Sequence, residues 1–167
     1  PGGSSAWTQT GESDGSINNH ITFTAVAGTL SGSHDFGFRK TGSYTLGDTL
    51  YYDWDGDGAQ DANEEGMPDV TVFLYEDANG NGVIDAEDAF IASTTTNGSG
   101  YYEFTSLAAG NYLVIVDRND TDFPAGVVQT QDPDESGVCI VCDNRGMATL
   151  GPSDMTVDFG YQPQGVG

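Results

Sequence analysis

The chain has 167 residues, room for one domain of about 120 residues plus a further piece. It carries 26 acids against 4 lysines and arginines, a net charge of −22, which excludes charge-driven binding to nucleic acid or to an anionic membrane. Such a chain repels itself unless cations neutralise it; divalent metal is the obvious neutraliser, and high external salt is another.

Glycine is abundant, at 24 residues, and Thr, Val, Tyr and Phe recur. No window carries a sustained 3.6-residue apolar repeat. Short strands and tight turns follow, and the expected class is all-β. No leader and no membrane-spanning run is visible, and a start at Pro1 is compatible with a leader already removed.

Residues 1–38 are rich in Ser, Thr and Gly. Strand-like runs cover Ala6 to Thr10, Ile21 to Val26 and Ser33 to Phe38, with too little apolar content to bury a core alone. Their meaning comes from an internal repeat. The run W-T-Q-T-G-E-S-D-G followed by S-H-D-F-G-F is echoed by V-V-Q-T-Q-D-P-D-E-S-G followed by T-V-D-F-G-Y. Gln9 aligns with Gln129, Asp14 with Asp134 and Phe36 with Phe159. Residues 1–38 therefore read as the closing strands of a preceding or partner module, with 39–43 as a linker. Residues 44–161 read as a complete module, and 162–167 as a linker tail.

The complete module opens with a strand at Tyr44 to Tyr52, and an acidic loop follows, D-W-D-G-D-G-A-Q-D-A-N-E. It sets Asp53, Asp55, Asp57, Asp61 and Glu64 at positions 1, 3, 5, 9 and 12 of a twelve-residue calcium loop, with Gly58 at 6 and the carbonyl of Ala59 at 7. Calcium takes six to eight oxygens, and carboxylates on alternate residues can wrap one ion. After the strand Val70 to Tyr75 comes a second such loop, D-A-N-G-N-G-V-I-D-A-E-D. Here Asp77, Asn79, Asn81, Asp85 and Asp88 take the ligand positions, with Gly82 at 6 and Val83 at 7. Two neutral amides and a short Asp at position 12 make this the weaker site. Neither loop is flanked by amphipathic helices, so the setting is strand–loop–strand.

Further strands are expected at Phe90 to Thr96, Tyr101 to Thr105, Leu113 to Val116, Ala125 to Thr130, Met147 to Leu150 and Met155 to Tyr161. Asp132, Asp134 and Asp143 form a third acidic cluster whose spacing matches no fixed loop; it is a candidate third metal site. It surrounds Cys139 and Cys142. With His20 and His34 far away, a zinc site lacks ligands, and a redox motif lacks its strand–helix context. The two remaining readings are a local disulfide, which suits an oxidising compartment and is the expectation, or two free thiols. Asn97 and Asn119 fit the glycosylation pattern, a short and weak signal.

The run G-D-T-L-Y-Y-D-W-D-G-D-G-A-Q-D-A-N-E-E-G-M-P-D-V-T-V-F-L-Y resembles the opening of the B-type repeat domains of serine-aspartate-repeat surface proteins. G-S-G-Y-Y-E-F-T-S-L-A-A-G-N-Y-L-V resembles their middle, and V-D-F-G-Y their closing strand. The resemblance implies a collagen-adhesin B-type, transthyretin-like β-sandwich, rigidity that depends on Ca2+, and a place in an extracellular surface stalk. The cysteine pair departs from that pattern. A sister class is cross-linked by a Lys–Asn isopeptide, but the only lysine, Lys40, lies outside 44–161, so calcium has to supply the stiffness.

The expected function is structural: a calcium-stabilised module of a stalk or filament. Its partners are adjacent modules or copies of itself, which residues 1–38 would reach by strand addition. The alternative is an adhesin module binding a host protein or glycan through aromatics such as Trp7, Trp54, Tyr101 and Tyr102. An enzyme is not expected, because no Ser-His-Asp order stands out and the paired carboxylates are absorbed by calcium spacing. The first loop is expected close to the junction with the N-terminal segment.

Overall fold

The computed structural model describes residues 6–12 and 36–165. Ten strands and no helix are found among them. β1 (Ala6–Glu12) and β2 (Phe36–Thr41) pair with each other as a two-stranded antiparallel sheet. The expected strand at Ile21 to Val26 lies outside the described residues. The linker expected over 39–43 is shorter in the structure: Arg39 to Thr41 pair with β1, which leaves Gly42 and Ser43 as the connection.

The remaining strands form two sheets of four. One has the order β6-β3-β10-β8, from β6 (Tyr101–Leu107), β3 (Tyr44–Tyr52), β10 (Phe159–Pro163) and β8 (Val127–Gln131). The other has the order β5-β4-β7-β9, from β5 (Ala89–Thr95), β4 (Thr71–Glu76), β7 (Gly110–Val116) and β9 (Arg145–Leu150). All pairings are antiparallel except β3 with β10, which is parallel.

Period-two alternation faces the sheets toward each other. Val72 and Leu74 of β4, Tyr102 and Phe104 of β6, Val114 and Val116 of β7, and Ala148 and Leu150 of β9 point into one core, joined by Leu46, Leu50, Phe159 and Tyr161. The buried phenols find acceptors, as buried Tyr must. Tyr102 donates to the Val157 carbonyl at 2.6 Å, Tyr161 to Asn144 Oδ1 at 3.0 Å, and Tyr51 to Gln131 Oε1 at 2.6 Å. Tyr102 is thus core and not part of a binding surface.

The closing strand begins later than its composition suggests. Met155 to Asp158 are outside the ladder, and β10 starts at Phe159. Asp158 is held there because its Oδ1 accepts from Thr49 N at 3.0 Å. Burial, and then the charges of Asp48 and Asp154, push its carboxyl up to about 6. A raised carboxyl binds its proton more tightly in the folded state than in the unfolded one. The stability it contributes is therefore full below about pH 4 and is lost as pH rises through about 6. In thermal melts from pH 4 to pH 7 in one buffer, Asp158→Asn should gain on the wild type as pH rises. Parallel profiles would refute this.

Candidate metal centres

The first acidic loop leaves β3 at Tyr52 and returns at Gly66, which forms a bridge to Tyr51. It is built from within by its own acids. Asp53 is fully buried; its Oδ1 accepts from Gly56 N at 2.6 Å and its Oδ2 from Gly58 N at 3.0 Å. Glu64 closes the other end, Oε1 accepting from Trp54 N at 2.6 Å and Oε2 from Asp61 N at 3.0 Å. Gly56 and Gly58 have φ of 76° and 78°, a conformation that glycine adopts without penalty.

The second loop follows the same plan. Asp77 accepts from Gly80 N and Asn81 N with Oδ1 and from Gly82 N with Oδ2. Asp88 accepts from Ala78 N and Asp85 N, matching the part of Glu64. Position 1 receives the amides of positions 4 and 6, and position 12 those of 2 and 9, in both loops. Twelve-residue spacing specifies this network because every bond, spanning three to ten residues, stays within the loop.

The first loop fits a divalent cation by its donor chemistry. Carboxylate oxygens of Asp53, Asp55 and Asp57 lie within 4.8 Å of one another, with Asp53 buried and the other two exposed. Asp61 and Glu64, the other two acids at the ligand spacing, are not part of that trio. In the second loop Asn79 and Asn81 aim their Nδ2 groups at Asp85 Oδ2, at 3.0 and 2.9 Å. Together with the Glu87 amide, the largest influence, these donors hold the Asp85 carboxyl below its ordinary range. Asp85 of the second loop is therefore held by its neighbours' donors. The Val83 amide donates to Asn81 Oδ1 at 2.7 Å, as the Ala59 amide does to Asp57 Oδ1 at 2.9 Å.

The two loops sit at opposite ends of the sandwich. Asp53 N donates to the Tyr161 carbonyl, beside the point where the chain leaves β10. Asp77 N donates to the Asn111 carbonyl, near Gly110 and the Leu107 that faces Tyr44. β3 spans nine residues, or about 30 Å. The first loop is thus at the exit end, not near the N-terminal segment, because a strand carries the chain the length of the module before the loop begins. What packs on the loops comes from far along the chain. The Gln162 side chain lies over Gly56, Gly137 and Val138 over Gly58, Asn111 over Gly80 and Met147 over Gly82. No local signal marks these four contacts.

Cys139 and Cys142 form the expected disulfide, with Cα atoms 5.5 Å apart. Of the third acidic cluster, Asp132 is fully buried. Burial first, then the Asp134 carboxyl beside it, push Asp132 well above the carboxylate range. Asp143 is not aimed at it. Its carboxylate pairs with Arg145 at 2.9 Å, and only its backbone N reaches Asp132 Oδ2. Asp143 is thus drawn toward Arg145, one of the few cations in the chain, two residues away.

Asn97 and Asn119 are both exposed. Asn97 Oδ1 caps its turn, accepting from Ser99 N, Ser99 Oγ and Tyr101 N. Among the aromatics, Trp54 is 45% exposed and stacks on Tyr52 with centroids 5.7 Å apart. A cluster not foreseen lies on the outer face of the second sheet, where the 56% exposed Phe90 meets Phe73 and Tyr75 edge-on. Alternation hides such a cluster in the sequence, because β4 sends its aromatics to one face and its aliphatics to the other.

Residues 44–161 match the family described as the SdrD B-like domain. Serine-aspartate repeat-containing protein E of Staphylococcus aureus is 35% identical over 158 residues, spanning 92% of this chain and 12% of that protein. The bone sialoprotein-binding protein of the same species is 36% identical over 135 residues, spanning 76% of this chain and 10% of its own length. The chain thus corresponds to about an eighth or less of these relatives. Among solved structures, the minor pilin GBS52 of Streptococcus agalactiae aligns at 14% identity and a TM-score of 0.44, covering 79% of this chain and 50% of that one. The shaft pilin spaA of Lactobacillus rhamnosus GG aligns at 14% identity and 0.45, covering 75% and 52%.

Proposed function

The chain belongs to the SdrD B-like domain family, and from that premise we propose that it is a calcium-stabilised structural module of a surface stalk or filament. It is an extracellular, cell-surface module, as its relatives are. Ca2+ is held by Asp53, Asp55, Asp57, Asp61, Glu64 and the Ala59 carbonyl at the exit end. At the entry end the ligands are Asp77, Asn79, Asn81, Asp85, Asp88 and the Val83 carbonyl. The ion supplies positive charge where the fold gathers acids. With one ion at each end, both ends of the sandwich stiffen, which suits a unit that transmits force along its long axis.

The observation that carries the assembly reading is the register of the N-terminal hairpin. Gln9 faces Phe38 and Gly11 faces Gly37, with an irregularity between them. In the complete module Gln129 faces Tyr161 and Gln131 faces Gly160, with an irregularity at the same place. Adding 120 to β1 numbers and 123 to β2 numbers turns one ladder into the other, from Trp7–Lys40, which becomes Val127–Pro163, onward. In the complete module β10 is covered on its other side by β3. Among the described residues β2 pairs with β1 alone. An edge of this kind favours strand addition, from an adjacent module of the same polypeptide or from a neighbouring copy in a filament.

Sizing in saturating calcium separates the two. Concentration-dependent growth into open polymers is expected for strand donation between copies. A discrete monomer at every concentration would refute that version and leave the tandem array. A second reading, an adhesin module binding a host protein or glycan, is favoured by the exposed Phe90 cluster with Phe73 and Tyr75.

A further inference from the structure

We propose that a groove on the outer face of the second sheet binds an acidic sugar, a saccharide that carries an isolated carboxylate on an otherwise neutral body. This rests on the second reading above, a module that binds a partner, and not on the calcium reading. The groove encloses about 500 Å3, within the range of small-ligand sites. Its floor is Phe73 and Tyr75 of β4 and Ile115 of β7, which alternation turns away from the core. Phe90 of β5 meets Tyr75 edge-on and extends the aromatic surface sideways. Ile84 of the second acidic loop walls the groove beyond the end of β4. The register sets Ile115 beside Phe73 and Arg145 beside Ile115, so the arginine stands on the same row as the floor.

Charge identifies the ligand. Residues 44–161 contain two arginines and no lysine, and both arginines, Arg118 and Arg145, line this groove. Arg118 is exposed and makes no ion pair among the described residues, although acids outnumber lysines and arginines 26 to 4. Its guanidinium carbon lies 5.8 Å from the centroid of the Phe123 ring, a contact that positions the group without a carboxylate. Asp143 engages Arg145 through Nε and Nη2, both on one oxygen, Oδ2, which leaves Nη1 for a ligand. Two guanidinium groups beside an aromatic floor suit a carboxylate. The chain as a whole carries −22, however, and repels a polyanion. Salt screens that field beyond about 8 Å, so the groove selects a carboxylate met at short range on a neutral body. A sugar ring supplies that body. Its C–H face stacks on the negative face of an aromatic ring, and its hydroxyls find Asp117 and Asn119 on the rim. A peptide gains most at a strand edge, where main-chain bonds are on offer. This groove lies across β4 and β7, the two inner strands of their sheet.

Calorimetric titration of the full chain in saturating calcium tests this with a tetrasaccharide that alternates glucuronate and N-acetylglucosamine. Neutral chitotetraose and a capped Gly-Glu-Tyr-Gly peptide serve as the comparison probes. The acidic tetrasaccharide should bind about tenfold more tightly than the neutral one. Tyr75→Ala and Arg118→Gln should each weaken it by about tenfold. Arg118 is exposed, so Arg118→Gln should leave the melting temperature unchanged and keeps the test open if Tyr75→Ala folds poorly. Arg118→Lys, which keeps the charge and loses the planar fork, should recover only part of the affinity. Equal affinity for the acidic and neutral sugars would overturn the acidic class. Binding of the peptide and of neither sugar would overturn the sugar. Binding that survives both Tyr75→Ala and Arg118→Gln would overturn the site and leave the second reading standing. No binding of any of the three probes would overturn the site and the glycan part of that reading together, with the calcium reading untouched.

Discussion

Removing calcium with a chelator should lower the melting temperature by about 20 °C, and Asp55→Ala by about half of that. An ion that binds only the folded state adds about 2.7 kcal/mol at a hundredfold excess over its Kd. Two such ions add about 5 kcal/mol, and a domain of this size moves by roughly 4 °C per kcal/mol. The effect is large because the first loop holds its acids together whether or not an ion is present. The amides of Gly56, Gly58, Trp54 and Asp61 fix Asp53 and Glu64 inward, so their repulsion is not relieved by rotation. Asp55 is chosen because it is exposed and its carboxylate accepts only the Asp57 amide, so the loss reads mainly the ion. Superimposable melts in calcium and in chelator would end the calcium reading.

Gly100→Ala should be comparably severe, costing about 2–6 kcal/mol from a left-handed backbone and an overpacked contact together. Gly100 has φ of 77°, and an added Cβ would stand 2.1 Å from the Leu50 carbonyl oxygen and 2.6 Å from Gly66 Cα. Three segments meet there without side chains between them. Leu50 N donates to the Gly100 carbonyl at 2.9 Å, Met67 N donates to the Leu50 carbonyl at 2.8 Å, and a Cβ at Gly66 would overlap the Ser99 carbonyl. The site also bears on the first acidic loop, since Gly66 is where that loop rejoins the sheet. A typical domain holds only about 5–15 kcal/mol in total. Urea unfolding of Gly100→Ala in saturating calcium measures the loss, and a loss under about 1 kcal/mol would show that the crossing relaxes around a methyl group.

The hairpin register and the loop positions bear on each other. If residues 6–41 close one module as residues 127–163 close the next, Gly42 and Ser43 are the whole connection between them. The second loop lies at the end of the sandwich where that connection enters, and the first loop lies at the end where the chain leaves. In a chain of such modules each junction would then have an exit loop of one module on one side and an entry loop of the next on the other. A connection of two residues leaves little freedom to bend, which is what a stalk requires.

The amino-acid sequence by itself determined the acidic spacing of both loops, the expected disulfide, the all-β class and most strands. Each depends on residues a few positions apart: alternation along a strand, carboxylates on every second residue, two cysteines three apart. The likeness of the N-terminal run to the closing strands was also legible, since two copies of one pattern can be compared without knowing where either lies. Tertiary structure alone decided the rest. It placed the two loops at opposite ends, set β10 parallel to β3, brought Gly66 against Gly100, and buried Asp132 while Arg145 drew Asp143 aside. These outcomes depend on contacts between distant segments and on competition among acids for few cations. A spacing rule records which groups are present; which of them finds a partner is decided only when the sheets close.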